Sequence, residues 1–149
     1  MSAPSTTTTT STKPIVLTII FSPLPTITAS AFHHHLSTVH APLAVPIFAR
    51  HKVLKYQISH NVAKIRDKLQ PLFPAPPRDA QDDDWEKVGD DLGLLQGEAV
   101  VQVWFRDEES YRGLTEDAEF REKMGGDAAG FVDVEKTRVT VGWGEVVMG

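Results

Sequence analysis

Glu98-Ala-Val-Val-Gln-Val-Trp-Phe105 is the stretch that decides the fold, because its residues alternate between two sets. One set is small or apolar and consists of Ala99, Val101, Val103 and Phe105. The residues between them are Val100, Gln102 and Trp104. Successive side chains of a β-strand point to opposite faces of the sheet, so this pattern predicts a strand with two distinct faces.

Three other segments of the chain also have strand character. Toward the N-terminus, Ile15–Phe21 is rich in β-branched residues and ends at two prolines, which cannot continue a strand ladder. The segment Val53–His60 alternates as well. Its predicted inner face holds Leu54, Tyr56, Ile58 and His60. Toward the C-terminus, Thr137–Val147 is predicted as the last strand, with Val139, Val141 and Trp143 on one face.

A helix is predicted between the first two strands. Thr28 suits the N-cap and Ala29–Val39 the helix, because apolar residues recur in it at intervals of three and four. We expect Pro42 and Pro46 to end regular helix after His40, since proline lacks the N–H that a helix interior needs.

The second helical region follows Phe105. Asp107–Gly113 and Thr115–Met124 are predicted as helical, and Gly125-Gly126 as the stop. The segment Asp127–Asp133 is then a connector, in which Phe131 is expected to be buried.

These elements occur in the order β-α-β-β-α-β. The usual structure for this order is an α+β, ferredoxin-like fold: a four-stranded antiparallel sheet with both helices on one face. The other face would be left bare with more apolar surface than water favours. We therefore expect it to be covered by a second copy of the chain, which predicts a homodimer.

Two segments fall outside this plan. Residues 1–12 are nearly all Ser and Thr, a composition that predicts a disordered arm. Residues 13–149 are predicted as one domain, interrupted at about 61–96 by a proline-rich insertion. A short helix is plausible at Asn61–Leu69, and the rest of the insertion is predicted to be a surface loop.

Composition excludes several classes of protein. The absence of cysteine rules out disulfides and thiolate metal sites, and it suits a reducing compartment. Scattered basic residues and a net charge of -5 argue against nucleic-acid binding. No stretch of apolar residues is long enough to span a membrane, and no secretory signal is visible. We therefore expect a cytoplasmic protein that does not bind membranes.

Four of the six histidines lie between His33 and His40. On an ideal helix, His35 and His40 flank the core stripe on opposite sides, and His33 lies near His40. His33 and His34 are therefore interpreted as surface residues. His40 sits at the end of the helix, at the mouth of the space between helix and sheet, where a neutral imidazole can act as acid or base.

Tyr56 and His60 share one face of their predicted strand, which places them in one pocket. His60 can equally be a structural residue rather than a pocket residue. A metal site would need three or four converging ligands. His35, His40 and His60 are conceivable ligands, but no spacing requires them to converge, so neither a metal nor another cofactor is expected.

Several of these segments resemble the EthD domain family. Phe32-His-His-His-Leu-Ser-Thr-Val-His-Ala-Pro-Leu43 is similar to its first-helix signature, F-x-x-Y-W-x-x-x-H-A-P-L. Leu54–His60 resembles the second strand, Y-x-x-x-H, and Val101–Phe105 the third. The resemblance covers most of residues 15–147, apart from 61–96. His35 and Leu36 stand where the family usually has tyrosine and tryptophan.

This resemblance implies a dimeric α+β barrel and a cofactor-independent enzyme or accessory protein, in a family loosely classed with oxidoreductases. A fungal branch decarboxylates anthrone-type acids in aromatic polyketide pathways, and the insertion and Ser/Thr-rich arm loosely resemble that branch. By the same likeness, His40 takes the place of the family's helix-one histidine. Tyr56 and His60 take the place of its strand-two pair.

The first functional hypothesis is decarboxylation of an aromatic β-keto acid, with His40 as acid and base and with His60 and Tyr56 orienting the carbonyl. The predicted substrate pocket is lined by His35, Phe21, Trp104 and Trp143. A second hypothesis is cofactor-free oxygenation of an anthrone-like substrate. A third is a small-ligand binding protein or accessory subunit without chemistry of its own.

Overall fold

The structure is a computed structural model that describes residues 13–61, 63–72 and 97–149. Its strands form one four-stranded antiparallel sheet in the order β2-β3-β1-β4. The strands are β1 (Ile15–Phe21), β2 (Val53–His60), β3 (Ala99–Phe105) and β4 (Arg138–Trp143). This arrangement confirms the predicted α+β fold.

The core lies between one sheet face and the helices. In the register of β1 with β3, Leu17 pairs with Val103 and Phe21 with Ala99, so the alternate residues of both strands share the helix side. All four predicted inner residues of β3 are buried. They pack with helix residues, the most deeply buried of which are Phe32, Leu36, Ala44 and Ile47. The alternation of β3 therefore gave the correct inner face.

The helical segment between β1 and β2 is longer than predicted. It consists of α1 (Ala29–His35), a π-helical turn (Leu36–His40) and α2 (Ala41–Arg50), which follow one another without a break. Thr28 caps α1 as predicted, and its hydroxyl accepts the Ala31 N–H at 3.1 Å.

The prediction that Pro42 and Pro46 end the helix is wrong. Pro42 lies in the first turn of α2, directly after the π turn, where the loss of one N–H is tolerated. Pro46 lies on the exposed side of α2.

Helices also lie on either side of β3 in the sequence. In the region of the insertion, α3 (Ala63–Leu69) leads into a 3₁₀ turn, Gln70–Leu72. After β3 come α4 (Glu108–Glu116), a second π turn (Phe120–Met124) and α5 (Gly125–Ala129). Asp107 caps α4 by accepting the Ser110 N–H at 2.9 Å.

The prediction that Gly125-Gly126 ends the helix is also wrong. Glycine ends a helix by adopting a left-handed conformation, whereas Gly125 is right-handed, with φ -64. Helix therefore continues through Asp127 to Ala129, where a connector was expected. Phe131, which follows, is buried as predicted.

Two details of the strands differ from the sequence prediction. A bulge between Val53 and Lys55 shifts the register of β2, so Leu54 is exposed and Val53 takes the inner position. The last strand ends at Trp143 rather than Val147. The predicted arm, residues 1–12, and most of the predicted loop, residues 73–96, lie outside the described residues.

The opposite sheet face carries Val16, Thr18 and Ile20 of β1 beside Val100, Gln102 and Trp104 of β3. These residues are only half-buried. None of the described helices is both long and apolar enough to cross a membrane.

Candidate active site

A cavity of about 340 Å³ lies between the helices and the inner face of the sheet. Its wall is almost entirely apolar and includes Leu17, Ile19, Phe21, Val101 and Val103 from the sheet. Helix residues close the other side, among them Phe48, Leu114, Phe120 and Met124. Three polar side chains also line it: His40, Tyr56 and Arg121. A cavity of this size and character suits a small aromatic molecule.

His40 is the buried polar group of this wall. Its side chain is 6% exposed, and its Nδ1 lies 2.7 Å from Oδ2 of Asp127 on α5. Phe21 and Phe131 meet the imidazole edge to face, with ring centroids at 6.2 and 5.2 Å. A hydrogen bond on one side and aromatic rings on two others hold the imidazole in one orientation.

The hydrogen bond to Asp127 also assigns the tautomer of His40. An ionised carboxylate only accepts hydrogen bonds, so Nδ1 must carry the proton. In the neutral imidazole, Nε2 then keeps its lone pair. Burial lowers the pKa of His40 and outweighs the opposing effect of Asp127. The resting side chain is therefore a neutral base.

His35 binds the same carboxylate. Its Nε2 lies 3.0 Å from Oδ1 and 3.1 Å from Oδ2 of Asp127, and its ring packs on Phe131 at 4.4 Å. His35 lines a second pocket, beside Gly126 and Gly130, rather than the cavity of His40. Asp127 therefore joins a buried histidine to one that is 35% exposed.

The π turn is the reason that His35 and His40 reach one carboxylate. On an ideal α-helix these two residues lie on opposite sides of the core stripe. Here the Ala41 N–H bonds to the Leu36 carbonyl, the i to i+5 pattern of a π-helix, which brings residues five apart onto one side. The predicted separation of His35 and His40 is thus wrong, because it assumed an ideal helix.

His60 belongs to a different cluster. Its Nδ1 lies 2.7 Å from Nδ1 of His33, and its Nε2 lies 3.0 Å from the Ser37 hydroxyl. His33 in turn pairs with Glu98 at 3.3 Å. Ser37 and His60 also line an open groove between α2 and β2. Burial together with His33 lowers the pKa of His60.

Tyr56 connects the two regions. It lines both the cavity of His40 and the open groove of His60. Its ring packs edge to face against Phe48 at 4.9 Å, and burial raises its pKa to about 12. The structure therefore brings Tyr56, Phe21 and His40 together around one cavity, whereas His35 and His60 line neighbouring pockets.

The two predicted tryptophans lie elsewhere. Trp104 is on the opposite sheet face, next to Val16, and both side chains pack under Gly144, where a Cβ would collide with them. Trp143 is on the edge strand and is 75% exposed, with the Lys13 ammonium 4.8 Å from its ring. Neither tryptophan lines the cavity in this chain.

Asp127 is the site residue that sequence reasoning missed. It lies 87 positions from His40 in the sequence. The prediction that helix ends at Gly125-Gly126 also placed Asp127 in a connector rather than in a helix. The pair Ala128-Ala129, which favours helix, was the available signal that the helix continues. Within 13–61, 63–72 and 97–149, no three His, Cys, Asp or Glu side chains are grouped so as to hold a metal ion.

Comparison with known proteins identifies the family of this site. The model of the EthD domain matches residues 24–135, which include His35, His40 and Asp127. The chain belongs to the EthD domain family. Among proteins similar to this chain, the dehydratase aurZ of Gibberella zeae is 26% identical over 131 residues, covering 88% of this chain and 77% of the relative.

Other relatives carry a different activity in their names. The decarboxylase AgnL1 of Paecilomyces divaricatus is 28% identical over 142 residues, covering 91% of this chain and 86% of the relative. Among solved structures, an EthD family protein from Bacillus halodurans C-125 superposes with a TM-score of 0.54 at 18% identity. It covers 88% of this chain and 99% of its own, which supports the EthD fold.

Proposed function

We propose that this EthD protein is a cofactor-independent tailoring enzyme that decarboxylates an aromatic β-keto acid of polyketide type. The observation that carries the proposal is the Asp127–His40 pair, in which Asp127 binds Nδ1 of the imidazole and His40 lines an apolar cavity of about 340 Å³. Relatives named as decarboxylases support the reaction class.

The chemistry follows from a neutral, buried base. His40 Nε2 takes the proton of the bound carboxylic acid, which forms an imidazolium beside a carboxylate. The carbon–carboxylate bond breaks, CO₂ leaves, and its electron pair forms an enolate with the β-carbonyl. His40 returns the proton to the carbon, so atoms and charges balance and the neutral imidazole is restored.

The apolar wall contributes to the same step. A carboxylate is poorly solvated among Leu17, Ile19 and Val103, whereas the enolate disperses its charge over an aromatic system. Asp127 stabilises the imidazolium that forms during the reaction and fixes which nitrogen faces the cavity. Tyr56 is the remaining hydroxyl donor in the wall and is suited to hold the carbonyl oxygen.

Dehydration is the second candidate, favoured by relatives that are named dehydratases. The same neutral Nε2 would remove a proton next to a carbonyl, and the imidazolium would then protonate the departing hydroxyl. The two reactions start from one resting state and differ in the group that leaves, which is CO₂ or water.

The test is a product assay on the full chain with an anthrone-type β-keto acid in D₂O. Decarboxylation releases CO₂ and places one deuterium on the product carbon, whereas His40→Gln loses this activity. His34→Gln, an exposed substitution on the same helix, is the matched control and retains it. Loss of water instead of CO₂ would establish dehydration, and oxygen consumption would establish oxygenation. Tight binding without any product would overturn the enzymatic proposal.

We also propose that the protein is a homodimer formed through the sheet face that carries Val16, Ile20 and Val100. These side chains are only half-buried although apolar, which supports a covering partner. Light scattering at micromolar concentration is expected to give twice the chain mass of 16.5 kDa. A monomer mass would contradict the proposal, and Val100→Lys should produce one.

A further inference from the structure

One oxygen of Asp127 serves two histidines. Oδ2 lies 2.7 Å from Nδ1 of His40 and 3.1 Å from Nε2 of His35, while Oδ1 lies 3.0 Å from the same His35 nitrogen. The carboxylate therefore accepts from both rings at once. Phe131 packs against both imidazoles, which keeps the three side chains in register.

Because Asp127 binds two histidines, its effect on the protonation of His40 differs from that of a carboxylate paired with His40 alone. A one-to-one pair of an aspartate with a buried histidine favours the imidazolium, because the carboxylate charge and its hydrogen bond act on a single proton. A second N–H donor that binds the same oxygen weakens the effect of the carboxylate charge on His40. When His35 is protonated, its own positive charge also opposes a charge on His40.

We propose that His35 is a positioning residue for His40, which shares the Asp127 carboxylate with it and keeps the buried imidazole in its neutral, Nδ1-protonated form. This inference rests on the proposed function, in which His40 begins as a base. It assigns His35 a role outside the substrate cavity, on the side of Asp127 that faces the neighbouring pocket.

The surroundings of His40 support this assignment. The charged or titratable groups that face its ring are Asp127 on α5 and His35 on α1, and Tyr56 and Arg121 line the same cavity. The charge of His35 lowers the pKa of His40, in the same direction as burial. Asp127 raises the pKa of His40. The net shift therefore depends on how the carboxylate is shared between the two histidines.

The experiment is an NMR titration of the His40 ring nitrogens in the full chain without substrate. His35→Phe keeps an aromatic ring against Phe131 but removes the donor and the charge, and we expect the pKa of His40 to rise. His35→Gln keeps an amide donor and loses the charge, so a smaller rise is expected. His34→Gln is the control and leaves the titration unchanged.

An unchanged or lowered His40 titration in both His35 variants would overturn the proposal. His35→Gln decides the question alone if His35→Phe does not fold. The readout needs no turnover, so it is independent of the product assay. If no β-keto acid is consumed but the titration shifts, the proposed function fails and the shared carboxylate stands.

Discussion

The helix that follows β1 carries two histidine clusters that differ in burial and in partner. The inner cluster joins His40 and His35 through Asp127, beside an apolar cavity. The outer cluster joins His60 and His33 directly, along an open groove. Of these two clusters, the inner one combines a fixed tautomer, a carboxylate and an apolar wall.

The difference shows what makes a histidine chemically useful in this fold. In the outer cluster, two imidazoles face each other, so protonation of one opposes protonation of the other. In the inner cluster, a carboxylate stands between the rings and stabilises the cation that forms during a reaction. The comparison predicts that substitutions in the inner cluster reduce turnover far more than substitutions in the outer one.

After the loss of His40 itself, the largest effect is expected from Asp127→Asn. The amide keeps the size of the side chain but loses the charge that stabilises the His40 imidazolium and orients its ring. Proton transfer by a positioned histidine contributes about 10²- to 10⁴-fold, and we expect kcat to fall by about 100-fold with little change in KM. Steady-state kinetics measure it, and Asp133→Asn is the control.

If Asp127→Asn leaves kcat unchanged, the inner cluster is not the reacting one. If KM rises and kcat does not fall, Asp127 acts in binding rather than in proton transfer. Far-UV circular dichroism separates either result from unfolding.

The sequence correctly predicted the sheet and the space between helix and sheet, but it predicted only part of the site. Alternation in β3 is a local signal, and it gave the correct inner face because strand periodicity needs no distant partner. The π turn before Pro42 depends on how the helix packs, and it moved His35 onto the side of His40. Asp127 is distant in sequence and sits on a helix that glycines were expected to end.

An intermediate effect is expected from pH. His40 has a lowered pKa in the folded protein, below its ordinary value of 6.5, so the unfolded chain binds this proton first as pH falls. The free energy of unfolding should therefore decrease as pH falls through 6.5 and level off below the folded pKa. Urea titrations from neutral to acidic pH measure the slope.

His40→Gln is the matched control for that slope, because it removes the buried proton-binding group. The variant should lose part of the pH dependence in this window. An equal slope in both proteins would show that other groups, such as His60, account for it.

The smallest effect is expected from His60→Gln, which tests the outer cluster directly. His60 lines an open groove and contacts His33 and Ser37, and this groove shares only the side chain of Tyr56 with the described lining of the His40 cavity. We expect turnover within about fivefold of wild type, because one intramolecular hydrogen bond contributes about 1 kcal/mol net. The same kinetic assay measures it, with Ser59→Ala as the control on the opposite face of β2. A loss as large as that of Asp127→Asn would show that the two clusters act on one substrate, with Tyr56 connecting them.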